Sequence, residues 1–97
     1  MLNDDVNEKL TLEVIPEVAS THRFQWEEVQ DCHVIMYPEG MVKLSDSSAE
    51  ILKLCDGKID VKAIINLLQQ KYPDAQLDND VKKFLEVAHE NGWIHYK

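Results

Sequence analysis

Apolar positions along the first half of the chain recur every second residue, and those along the second half recur every third or fourth. The first regime begins after Pro16, where Phe24 and Trp26 fall two apart between Arg23 and Gln25, as in a half-buried strand. Cys32–Tyr37 is continuously apolar apart from His33 and partly β-branched, which suits a central strand covered on both faces. Tyr37-Pro38-Glu39-Gly40 predicts a reversal, with Pro38 preset for a turn and Gly40 placed where a left-handed residue closes a bulged hairpin. Met41–Leu44 then alternates, Val42 and Leu44 on one face and Met41 and Lys43 on the other, as a third strand at the edge of the meander.

From Ser47 the period becomes helical. Ser47-Ser48-Ala49-Glu50 fits a capping box, Ile51, Leu52 and Cys55 share a face, and Gly57 is the expected left-handed stop. Asp60 is the expected N-cap of a second helix with the stripe Val61, Ile64, Ile65, Leu68 and Tyr72, halted by Pro73. Asp78 and Asp80 put negative charge at the start of a third helix, which buries Val81, Phe84, Leu85 and Ala88 and ends at Gly92. Trp93–Tyr96 fits either a short strand or a segment lying over the core. Residues 1–15 show neither period and read as a poorly ordered acidic segment ahead of one domain at 16–97. Three strands followed by three helices predict an α+β domain.

Ninety-seven residues, 44% of them hydrophobic, suffice for one core and no second. Eighteen acidic against ten basic residues give a net charge of −8, a field that repels phosphate backbones and excludes nucleic acid as the expected partner. Residues 1–20 hold five carboxylates against Lys9 alone, and the remainder carries −4. Val34–Tyr37 is too short to cross a bilayer and no signal segment opens the chain, so no membrane partner and a cytoplasmic location are expected. Cys32 and Cys55 lie in apolar segments and are expected to be reduced core thiols.

Catalytic signatures are missing: there is no G-x-S-x-G, no phosphate-binding glycine loop and no Cys-His-Asn pattern. Cys32 and His33 are neighbours on a strand and so face opposite ways, and His22, His89 and His95 have no ligand spacing; no metal or other cofactor is expected. Trp26 and Trp93 are expected to pack on the core. The feature that suggests a function is the third strand, whose outer row of amides and carbonyls can accept an extended peptide. One of its two alternating pairs must direct these groups outward, and alternation alone leaves open which.

The block Cys32-His33-Val34-Ile35-Met36-Tyr37-Pro38-Glu39-Gly40-Met41-Val42-Lys43-Leu44 resembles the signature of the pyrroloquinoline quinone biosynthesis protein D family. Phe24–Glu27 ahead of it, Ser47 with Ala49–Leu52 and Cys55–Gly57, and then Phe84-Leu85 and Gly92–Ile94 extend the likeness over residues 16–95. Ser45 departs from an expected asparagine and Ser48 from an expected alanine. The resemblance implies a winged-helix-like fold and a free-standing recognition element for ribosomally made, modified peptides. It implies a non-catalytic chaperone that binds the quinone-precursor peptide and presents it to a radical S-adenosylmethionine enzyme for glutamate–tyrosine cross-linking. Transferred to this chain, the peptide lies between Met41, Val42, Lys43 and Leu44 and the helix residues Val81, Phe84, Leu85 and Ala88. A monomer is expected ahead of a dimer. The competing readings are a recognition domain for another modified peptide, an acidic winged-helix regulator of nucleic acid, and a carrier of the finished quinone.

Overall fold

The computed structural model describes residues 10–97. Its elements run β1 (Pro16–Val18), β2 (Arg23–Glu27), β3 (Cys32–Tyr37), β4 (Gly40–Lys43), α1 (Asp46–Lys53), α2 (Val61–Lys71), α3 (Asp78–Glu90) and β5 (Ile94–Tyr96). Strands β2, β3 and β4 form an antiparallel sheet in that order, and β1 pairs antiparallel with β5 in a second, two-stranded sheet. The class is α+β, with three strands followed by three helices at its centre.

Strand alternation puts Phe24, Ile35, Val42 and Leu44 on the face that joins the core. The core itself is built from Ile35, Leu52, Val61, Ile64, Val81 and Leu85, all at most 1% exposed, with no buried polar or charged residue among the described residues. Each helix buries most of the stripe its spacing predicts: Ile51 and Leu52 from α1, Val61, Ile64 and Leu68 from α2, and Val81, Leu85 and Ala88 from α3, with Ile65 and Phe84 half-buried at the margins. Tyr72 leaves the predicted stripe, being 42% exposed, because it is the C-cap of α2 and its φ of −127° carries the side chain out of helical register.

Three local expectations are corrected. Helix α1 is capped by Ser45, two residues before the predicted Ser47: Ser45 is extended, and its Oγ accepts the Ser48 N–H at 3.2 Å. Glu50 takes no part in that cap and instead pairs with Lys71 at 2.8 Å and Lys53 at 3.6 Å. Gly57 does not stop α1, which ends at Leu54 with tight bonds from Leu54 to Ile51 and from Cys55 to Leu52. Its φ of +77° serves a close approach to β1, since its N–H donates to the Pro16 carbonyl at 3.1 Å and a Cβ would stand 2.6 Å from Glu17 Oε2. Gly40 is not left-handed: it pairs directly with Tyr37, so Pro38-Glu39 alone makes the turn. The left-handed residue of the sheet is Asp31 at the end of the other hairpin, with φ of +56°.

The remaining termini behave as predicted. Asp60 Oδ1 accepts the Ala63 N–H at 2.9 Å. Gly92, with φ of +79°, closes α3 in a Schellman arrangement, in which Trp93 N–H reaches the Ala88 carbonyl and Gly92 N–H reaches that of His89. Residues 1–9 of the N-terminal segment lie outside the described residues. In its remaining part, Leu10 and Val14 pack on the core, and the carbonyls of Leu12 and Val14 accept the Lys62 and Val61 amides. Those amides are first-turn donors of α2 that no helical carbonyl can reach.

Ser45→Ala is expected to cost about 1 kcal/mol of stability by freeing the Ser48 amide, whereas Ser47→Ala changes little. Paired thermal melts of the two variants check this.

Candidate functional site

Within the three-stranded sheet β4 has one neighbour, β3, so among the described residues its other edge is unpaired. The register decides which groups that edge offers. Leu44 N–H donates to the His33 carbonyl at 3.0 Å, which makes His33 and Leu44 a hydrogen-bonded pair. Pairs in an antiparallel ladder alternate, so Val42 opposite Ile35 and Gly40 opposite Tyr37 also bond inward. Met41 and Lys43 are therefore the residues whose N–H and C=O point away from the sheet.

Side chains follow the same alternation. Val42 is half-buried and Leu44 buried on the core face, while Met41, 39% exposed, and Lys43 lie on the other. Cavity linings bring β4 near the C-terminal end of α3, and the start of α1, which follows β4, near the first half of α3. A cavity of about 550 Å³ at the hairpin end joins Tyr37, Glu39 and Val42 to His22 and to Asn91 and Trp93 at the end of α3. A second, of about 470 Å³, lies beyond Lys43, where Asp46 and Ser47 of α1 meet Asp80, Val81 and Phe84 of α3 and Leu68 of α2.

The residues singled out from sequence thus divide. Met41 and Lys43 supply the free main chain, and Val42, Val81 and Phe84 line the two cavities. Leu44, Leu85 and Ala88 are buried in the core cluster and line neither cavity. Sequence reasoning missed Trp93 as a cavity wall, although its position just after a terminating glycine folds it back towards α3, with its ring centroid 6.4 Å from that of Phe84. It also missed His22, whose Nδ1 lies 3.0 Å from Thr21 Oγ1 and whose ring tilts against Tyr37. Trp26 departs from its expected core role. It is 49% exposed and meets His33 edge-on, and His33 stacks on Phe24.

Neither cysteine is in a disulfide: Cys32 is half-buried and Cys55 buried. Burial, reinforced by the neighbouring Asp56, pushes the Cys55 thiol up to about 12, so it stays protonated at neutral pH and donates to the Ile51 carbonyl. Glu50, on the wall of the second cavity, is held below its ordinary 4.5 by the hydrogen bond from Lys71. A carboxylate depressed on folding contributes stability above its unfolded value and loses it as the pH falls. Glu50→Gln is thus expected to flatten the decline of stability on acidification below pH 4.5, while a small loss appears near neutrality; chemical denaturation at both pH values measures each part.

Coenzyme PQQ synthesis protein D, PqqD, is the family whose model matches residues 32–94. The chain belongs to the PqqD family. Relatives named "PqqA binding protein" include one from Pseudomonas aeruginosa strain UCBPP-PA14, 52% identical over 87% of this chain and 92% of its own length. Another from Azotobacter vinelandii is 49% identical over the same shares. The solution structure of the PqqD truncation of Methylobacterium extorquens PqqCD, described as a functional, stand-alone recognition element for ribosomally synthesized and modified peptides, superposes with a TM-score of 0.72. It is 27% identical and covers 91% of this chain and 96% of its own. The PqqD match takes in β3, β4 and all three helices.

Proposed function

We propose that this chain is a non-catalytic recognition module of pyrroloquinoline quinone biosynthesis that binds the precursor peptide, PqqA, as a strand added to β4. The observation that carries the reading is the unpaired edge at Met41 and Lys43 beside α3, in a chain about half identical to proteins named for binding PqqA. An added strand takes affinity from that main chain and specificity from pockets beside it. The module then presents the peptide to a radical S-adenosylmethionine enzyme, to which the glutamate–tyrosine cross-linking chemistry belongs, in the cytoplasm. A nucleic-acid role is disfavoured by α3, where Lys82 is held by Asp78 at 3.0 Å and Lys83 stands among Asp80, Glu86 and Glu90.

Hydrogen exchange with and without PqqA tests the binding mode. Slowed exchange at the Met41 and Lys43 amides supports it; binding that leaves both amides unprotected, or no binding, overturns it. Presentation is tested by whether the radical enzyme cross-links PqqA faster when this chain is added.

A further inference from the structure

One cavity lies at the hairpin end of β4, the other past its opposite end where α1 begins, and the two differ in character. The hairpin-end cavity is lined mostly by residues that can hydrogen-bond, His22, Tyr37, Glu39 and Asn91, with Val42 and Trp93 beside them. The far cavity is lined by Ile51, Leu68, Leu77, Val81 and Phe84, with Asp46, Glu50 and Asp80 among the polar residues that also line it. On α3 their linings are separated by the stretch from Val81 or Phe84 to Asn91. At 1.5 Å per helical residue that is roughly 10–15 Å.

A strand laid on β4 rises about 3.3 Å per residue and turns alternate side chains to the α3 side. Residues two apart, at about 7 Å, fall short of spanning the cavities, and residues six apart, at about 20 Å, overshoot. Residues four apart, at about 13 Å, match both the distance and the face. We infer that the cavities form a two-point ruler for an extended peptide, taking a large apolar side chain beside Phe84 and a hydrogen-bonding one beside His22, four residues apart in the peptide. This rests on the strand-addition reading and adds to it what fixes register and direction. A peptide slipped by one residue would turn both anchors away from α3, and a reversed one would set each anchor in the cavity of the wrong polarity.

The test is an alanine scan of PqqA titrated against the full chain and against Phe84→Ala and His22→Ala. One apolar and one polar peptide position, four apart, should each weaken binding about tenfold in the wild type, and each should lose most of that effect only in the variant of its own cavity. Ser47→Trp fills the apolar cavity from an exposed first-turn position and should weaken binding of unmodified PqqA to a similar extent, which covers the case that Phe84→Ala does not fold. Anchors at any other spacing, or no coupling to either cavity, overturn the ruler. If the β4 amides are still protected by PqqA in that event, strand addition stands without it; if they are not, the parent reading falls as well.

Discussion

Lys43→Pro is expected to leave the fold intact and to weaken PqqA binding at least tenfold, whereas Val42→Pro, one residue away, should unfold the edge of the sheet. The difference is one of direction. Proline removes an amide donor and fixes φ near −65°, which an edge strand tolerates where the donor faced outward. The Lys43 amide is such a donor, so its loss removes no bond of the free protein. It deletes one of the bonds available to an incoming strand, worth about 0.5–1.5 kcal/mol, and sets a ring where that strand's carbonyl must approach. The Val42 amide bonds towards Ile35, so proline there breaks the β3–β4 ladder. Far-UV circular dichroism, melting and calorimetric titration of the two variants separate the effects. Normal binding by a folded Lys43→Pro would remove strand addition at β4.

The order of strands and helices was legible because each helix buries a stripe of its own and each hairpin is local. What stayed hidden was non-local. Strand β1 has three residues, and its partner β5 lies nearly eighty positions further on, so no window along the chain contains both. Their pairing is completed by His95 Nε2 and Glu17 Oε1 at 2.8 Å and by Lys97 N–H bonding the Ile15 carbonyl, contacts that composition does not announce. Likewise the pattern Ser47–Glu50 satisfied the capping rule, but the helix begins where the chain leaves β4, which put Ser45 in the capping position.

The site was legible in part for the same reason. Alternation located the edge strand from Met41 to Leu44, and only the register given by the Leu44–His33 bond assigned the outward groups to Met41 and Lys43. Helical spacing located the α3 stripe, and it grouped Phe84 with Val81, Leu85 and Ala88 as equals. In three dimensions Phe84 sits at the margin of that stripe, partly exposed and over a cavity, while Leu85 is fully enclosed. Periodicity identifies a buried face but cannot tell its centre from its rim, and here the rim, at Phe84, is where a cavity opens.

That distinction makes Leu85→Ala and Phe84→Ala opposites. Leu85 has no exposed surface and packs in the central cluster, so truncation removes a buried side chain and leaves a cavity, at a cost of about 2–5 kcal/mol. Against the roughly 5–15 kcal/mol that holds a small domain together, this is the largest loss of stability expected from any one truncation on α3. Its peptide affinity, measured on the fraction still folded, should stay close to that of the wild type, because the side chain lines neither cavity. Phe84→Ala should cost less in stability, since its ring already opens on solvent at the apolar cavity, and more in binding, since that ring is the surface a peptide side chain would cover. Equilibrium denaturation and titration on the same preparations place each variant on both axes. If Phe84→Ala loses several kcal/mol of stability and binds PqqA normally, its ring belongs to the core alone, and recognition must run along the main chain of β4 without help from α3.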